Sequence, residues 1–126
     1  MREKIRDKER LKHILDTINI LLDNRQNAVL LQLKDNPIVF HGFVKNVEII
    51  GEAAYMLSKE FKSSHDDVNW RGIEGMRHVL VHGYYRIEPS RLWKVVENEI
   101  SELEPTIRRY YLELEEEEKK KVDGLC

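Results

Sequence analysis

The sequence is poor in residues that interrupt helices or cross-link chains. Among its 126 residues are 6 Gly, 3 Pro and one Cys, and aromatic residues make up 8%. Because Cys126 has no second cysteine to pair with, an intrachain disulfide and a cysteine-based metal cluster are excluded. Few Gly and Pro beside abundant Leu, Glu, Lys and Ile favour helices over a sheet. We therefore expect an all-α fold.

Long apolar runs and an excess of one charge are also missing. No apolar run approaches the roughly 20 residues that a transmembrane helix needs, and the charged residues 1–4 lead into no signal-peptide core. We expect no membrane association and a cytoplasmic location. Because 21 Lys plus Arg face 23 Asp plus Glu, any binding of a polyanion must be local. The length fits one domain spanning residues 1–126.

Apolar residues recur at three- and four-residue steps, the period of an amphipathic helix. The stripe of the first predicted helix is Leu11, Ile14, Leu15, Ile18, Leu21 and Leu22. Residues 24–33 fit either a short extra turn or a continuation of a bent helix. Asn36-Pro37 predicts the start of a second helix, which we expect to run to residues 63–67. Its stripe is Phe40, Phe43, Val44, Val47, Ile50, Ala54 and Leu57.

Two further helices are predicted in the second half. The third begins at Trp70, with Asn69 as N-cap, and ends at Gly83 as a left-handed residue. The fourth begins at Pro89, and Pro105 should kink it without dividing it. Residues 115–126 form a solvated, fraying helical tail. The predicted architecture is an antiparallel bundle of four to five helices.

An arginine stands on the apolar side of the third predicted helix. At about 100° per residue, Arg77 lies within the arc of Ile73, Leu80 and its other apolar residues. Because an unpaired buried charge is costly, Arg77 must pair with a carboxylate such as Glu48 or Glu52, or face a cleft that holds an anion.

His82 should point away from that arginine. Five residues of regular helix separate the directions of Arg77 and His82 by about 140°. Two arrangements would bring them together. The last turn before Gly83 could unwind, or a second copy of the protein could complete the site across a two-fold axis, and both can hold together.

The segment 70–84 carries a recognisable motif. Arg77, four residues, His82, one residue and Tyr84 give the pattern RxxxxHxY, which resembles the signature of HEPN-domain toxins. Residues 49–53 and 92–93 also resemble that family, so the likeness covers most of the chain. It implies a HEPN-type bundle that forms a two-fold homodimer. It also implies the toxin of a type II toxin-antitoxin system, paired with an MNT-type nucleotidyltransferase antitoxin.

The implied activity is a metal-independent endoribonuclease without a cofactor. The His82 imidazole would remove the proton of a ribose 2′-hydroxyl, and the Arg77 guanidinium would stabilise charge on the attacked phosphate. This route needs RNA and leaves a 2′,3′-cyclic phosphate. The leaving oxygen needs a second proton, which another His82 in the dimer, His78 or water could supply. The resemblance further implies that the antitoxin attaches AMP to Tyr84, which otherwise positions substrate.

Two positions depart from the family pattern. His78 stands where many members have Asn, and Gly83 stands where they have an acidic or polar residue. The alternative is therefore a non-catalytic HEPN module that binds a nucleotide or its nucleotidyltransferase partner; a purely structural adaptor is a third reading. No His pair has a carboxylate at zincin spacing, so we predict no metal site. Arg71, Arg86 and Arg91 flank the motif and could contact an RNA backbone.

Overall fold

The computed structural model describes residues 2–25 and 30–125, except for the side chains of residues 30–32, 84 and 125. Within this part of the chain every regular element is helical, which confirms the predicted all-α bundle. The elements are α1 (Arg2–Asp23), α2 (Leu30–Asp35), α3 (Pro37–Met56), α4 (Lys59–Ser64), α5 (Trp70–Gly83), a 3₁₀ turn (Tyr84–Arg86), α6 (Pro89–Lys94), a π-helical segment (Val95–Ile100) and α7 (Ser101–Leu125). Met1, Cys126 and residues 26–29, which are part of the segment 24–33 predicted as an extra turn or a bent helix, lie outside the described residues.

The predicted helix starts are confirmed at Pro37, Trp70 and Pro89. Asn36 caps α3, because its side-chain oxygen accepts hydrogen bonds from the first free N–H groups of that helix, at 3.1 and 3.3 Å. Asn69 accepts in the same way from the N–H of Gly72, at 3.0 Å. Each cap satisfies a donor that the helix itself cannot satisfy.

The core lies between α1 and the two long helices that pack against it, α3 and α7, while α5 packs against the other side of α3. The first predicted stripe is buried as expected apart from Leu22, which is partly buried. Fully buried side chains include Leu11, Ile18, Ala54, Val96 and Ile107. Burying an aliphatic side chain of this size stabilises by about 1.5–3 kcal/mol. The bundle therefore gives α5 a rigid support.

The second predicted helix is interrupted, contrary to expectation. α3 ends at Met56, and Ser58 caps a separate helix, α4, by accepting from the N–H of Phe61 at 3.1 Å. Asp7 of α1 is 3% exposed and accepts from both the N–H and the hydroxyl of Ser58, at 2.8 and 2.7 Å. The break thus lets Ser58 donate hydrogen bonds to the buried carboxylate of Asp7, which lies 51 residues away in the sequence.

The end of α5 also differs from the prediction. Gly83 does not have a positive φ, and the chain tightens directly into the 3₁₀ turn. A 3₁₀ turn closes a helix without a left-handed residue.

The last third of the chain is one continuous helical path. It begins at Pro89, widens into the π-helical segment, and contains Pro105 within α7. Helix α7 extends to Leu125, and near its end Glu118 lies 2.6 Å from Lys8 of α1. No helix among the described residues has the length and apolarity to span a bilayer.

Candidate functional site

The site begins where α5 crosses α3 at close range. A Cβ built on Gly51 of α3 would lie 2.6 Å from the Cβ of Arg77 and 3.0 Å from the carbonyl oxygen of Ile73. No larger residue fits there without moving a helix backbone. Gly51 therefore lets α5 approach α3 and fixes where the arginine leaves its helix.

The Arg77 guanidinium meets an aromatic ring and no acid. Its Cζ lies 5.7 Å from the centre of the Tyr55 ring, at a distance that allows a cation–π contact. Its Nε is buried and has no hydrogen-bond partner in the described part of the chain. The ion pair with Glu48 or Glu52 does not form, and Glu48 instead lies 3.3 Å from Lys45. Arg77 thus keeps donors for an external anion.

Tyr55 links this arginine to a second cation. The Nζ of Lys62 lies 6.0 Å from the centre of the same ring and 2.6 Å from a carboxylate oxygen of Glu74. Tyr55 is nevertheless 60% exposed. The crossing of α3 and α5 therefore presents an accessible aromatic ring beside an unpaired guanidinium, a combination that suits a nucleotide.

His82 points to a different side of α5. Because α5 stays helical through Gly83, the unwinding that could have brought His82 round to Arg77 is not observed. His82 is exposed, and so is His78 one turn earlier. Their ring centres are 4.6 Å apart and their planes are inclined at 56°. The structure therefore brings His78 and His82 together and keeps Arg77 apart from them.

The two histidines line a cleft of about 1090 Å³ between α5 and α6. The cleft is also lined by three cationic residues, Arg86, Arg91 and Lys94, and by two acidic ones, Glu88 and Glu99. Among the described residues no carboxylate lies within 4.0 Å of these three. The sequence indicated Arg86 and Arg91. It did not indicate Lys94, which lies one helical turn after Arg91 in α6 and lines the same cleft.

Two other sequence predictions concern Tyr84 and metal binding. The backbone of Tyr84 begins the 3₁₀ turn after α5, and its side chain lies outside the described residues. Within 2–25 and 30–125 there is no group of three His, Cys, Asp or Glu side chains that could hold a metal ion.

Comparisons with known proteins identify the family of the chain. The family described as ribonuclease HepT-like matches residues 11–110. A protein of Caldanaerobacter subterraneus named "putative RNase" is 35% identical over 98 residues, which cover 78% of this chain and 88% of that protein. A "probable ribonuclease HepT" of Thermococcus cleftensis is 37% identical over 60 residues, 48% of this chain and 54% of that protein. No solved structure matches significantly. The family resemblance is confirmed, and the chain belongs to the HepT-like ribonuclease family.

Proposed function

We propose that the protein is a metal-independent endoribonuclease, the toxin of a type II toxin-antitoxin pair, acting through Arg77 and His82. The observation that carries this proposal is the Arg77 guanidinium, which has a buried Nε without a partner and no carboxylate in the described part of the chain within ion-pair distance. A cation held in this way is available to a phosphate. Membership of a ribonuclease family makes an RNA phosphate the natural choice.

The chemistry follows from these two side chains. His82 removes the proton from a ribose 2′-hydroxyl, and the resulting oxygen attacks the adjacent phosphorus. Arg77 stabilises the negative charge that grows on the phosphate oxygens. The products are a 2′,3′-cyclic phosphate and a free 5′-hydroxyl, so DNA is not a substrate.

The separation of Arg77 from His82 makes a homodimer part of the proposal. One α5 helix cannot direct both side chains at the same phosphate, whereas a two-fold axis near this helix places His82 opposite Arg77 of the partner subunit. Val79 and Val81, on the same helix, are 55% and 41% exposed, which a partner would cover. Active protein that is strictly monomeric would overturn this arrangement.

The first experiment is cleavage of labelled mixed-sequence RNA in EDTA. The wild type should cut and leave a cyclic phosphate, while Arg77→Ala and His82→Ala should each lose at least about a hundredfold in rate. Arg6→Ala and His13→Ala remove the same residue types from exposed places on α1 and should cut normally. Circular dichroism must show unchanged helix content in all four variants. A folded Arg77→Ala variant with wild-type rates would refute the assigned role.

Mixing two inactive variants tests whether the site is shared. If Arg77 and His82 act across the axis, a dimer of one Arg77→Ala and one His82→Ala subunit keeps one intact site of two. Random reassembly makes half of the dimers mixed, so about a quarter of wild-type activity should return. If both residues act within one subunit, mixing restores nothing.

Tyr84 is the proposed point of regulation. An MNT-type nucleotidyltransferase antitoxin would attach AMP to its hydroxyl, which adds bulk and negative charge beside the phosphate site. Co-expression with such a partner should increase the mass of a Tyr84-containing peptide by one AMP group and suppress cleavage. Tyr84→Phe should escape both effects, and an unmodified Tyr84 in silenced protein would contradict the proposal.

The second candidate is a non-catalytic nucleotide- or partner-binding module. It is favoured by His78, which stands where many family members have Asn, and by the exposed Tyr55 beside Arg77. Wild-type protein that cuts no RNA but binds nucleotides in an Arg77-dependent manner would select this function.

A further inference from the structure

The histidine pair on α5 has the geometry of a proton-transfer unit. His78 and His82 are four residues apart, so consecutive helical turns place them on one face. Their ring centres are 4.6 Å apart, and both line the cleft between α5 and α6. Neither ring lies within ion-pair distance of a described carboxylate. The two imidazoles are thus free to meet one substrate group together.

We propose that His78 is a second catalytic residue, the general acid that protonates the leaving 5′-oxygen while His82 acts as the base. The inference rests on the proposed ribonuclease function. The donor of the second proton then lies on the same helix as the base, and it is neither a second His82 across the dimer axis nor water.

The proton balance of the reaction needs two such groups. The 2′-oxygen gives its proton to neutral His82 and forms a bond to phosphorus. The bond from phosphorus to the 5′-oxygen breaks, and that oxygen takes a proton from charged His78. The attacking and leaving oxygens stand on opposite sides of phosphorus, so the base and the acid must be two different groups. Both rings are exposed, so exchange with water resets them after each turnover.

The same cleft holds groups that would keep the phosphate beside the pair. Arg91 and Lys94 line it together with the histidines and form no ion pair with a described carboxylate. The cations on α6 would bind the RNA phosphates next to the one that is attacked. Such contacts to the RNA backbone do not depend on the base sequence. The Arg77 guanidinium would reach the reacting phosphate from the partner subunit.

Changing the leaving group of the RNA substrate distinguishes a general acid from a residue with only a structural role. At the linkage that the wild type cuts in mixed RNA, two oligonucleotides are made, one natural and one with sulfur in place of the bridging 5′-oxygen. A thiolate leaves without receiving a proton, so the sulfur substrate does not need the acid. His78→Asn is the test variant because Asn and His have similar helix propensities, and exposed His13→Asn is the matched control.

His78→Asn should cut the natural linkage about 10²–10⁴-fold more slowly than the wild type and the sulfur linkage at a rate within a few-fold. His82→Ala should remain slow on both, and His13→Asn should match the wild type on both. A mixture of His78→Asn and His82→Ala subunits should regain no activity, because every histidine pair then lacks one member.

Four results would overturn the inference. If His78→Asn cuts the natural linkage at the wild-type rate, or is equally impaired on both substrates, His78 is not the acid while the ribonuclease function stands. Activity regained by the mixture would place the acid on the other subunit. If the wild type cuts neither substrate, the ribonuclease function fails and the inference fails with it.

Discussion

The α3–α5 crossing gives a prediction with a built-in control. Gly51→Ala puts a methyl group 2.6 Å from the Cβ of Arg77 and 3.0 Å from the carbonyl oxygen of Ile73, so α5 must move. Overpacking of this kind costs about 1–3 kcal/mol. Gly42 lies on the same helix, and a methyl group added there would meet nothing within 4 Å. Gly42→Ala should therefore show only the gain in helix propensity, about 0.5–1 kcal/mol.

The two variants differ mainly in the overpacking cost, so Gly51→Ala should be less stable than Gly42→Ala by about 1–3 kcal/mol. Urea unfolding at one fixed protein concentration measures both free energies, since the stability of the proposed dimer would depend on concentration. Because the shift also moves Arg77, cleavage by still-folded Gly51→Ala should fall, while Gly42→Ala should cleave normally. Equal stabilities of the two variants would refute the tight crossing.

Three further predictions concern the Asp7–Ser58 contact, the cations of the cleft and a tyrosine of α7. Asp7→Ala leaves the two Ser58 donors without their buried acceptor and should lower the unfolding free energy by about 1–3 kcal/mol in urea titrations. Replacing Arg91 and Lys94 together by Ala should weaken RNA binding and reduce the slope of log affinity against log salt by about 1.4, measured by anisotropy. Burial raises the pKa of Tyr111 above its usual 10.0. The folded state therefore favours the neutral phenol, and stability should fall as pH rises beyond about 10. Tyr111→Phe should lessen that fall.

Local signals in the sequence were enough for most of the fold. Apolar spacing and the caps at Asn36 and Asn69 depend on neighbours within one or two turns, and the structure confirms the helices that they predict. The break after α3 depends instead on Asp7, 51 residues away from Ser58. Ser58 is a residue type that commonly caps helices, so the sequence did contain a signal for a new helix there. The interruption between α3 and α4 becomes favourable, however, only because Asp7 accepts the hydrogen bonds of Ser58.

The sequence named candidate residues for the site but did not indicate how the fold groups them. A helical wheel separates Arg77 from His82 correctly, because that angle is a property of one helix. It cannot show that Tyr55 of α3 lies beside the guanidinium, or that Lys94 of α6 lines the cleft with the histidines. Those contacts arise from the packing of separate helices, which composition and periodicity do not specify.

The position of Arg77 on α5 is the reason for proposing a two-fold assembly. Gly51 holds the arginine close to α3, and the regular last turn keeps His82 on the cleft side. Moving either side chain toward the other within one subunit would require unwinding α5 or losing the α3 contact, and both cost packing energy. In the proposed dimer, a second subunit would bring the two groups together without such strain. If this reasoning is right, a covalent tandem of two chains, one carrying Arg77→Ala and the other His82→Ala, should keep about half of the activity of an unmutated tandem. An inactive but folded tandem would contradict it.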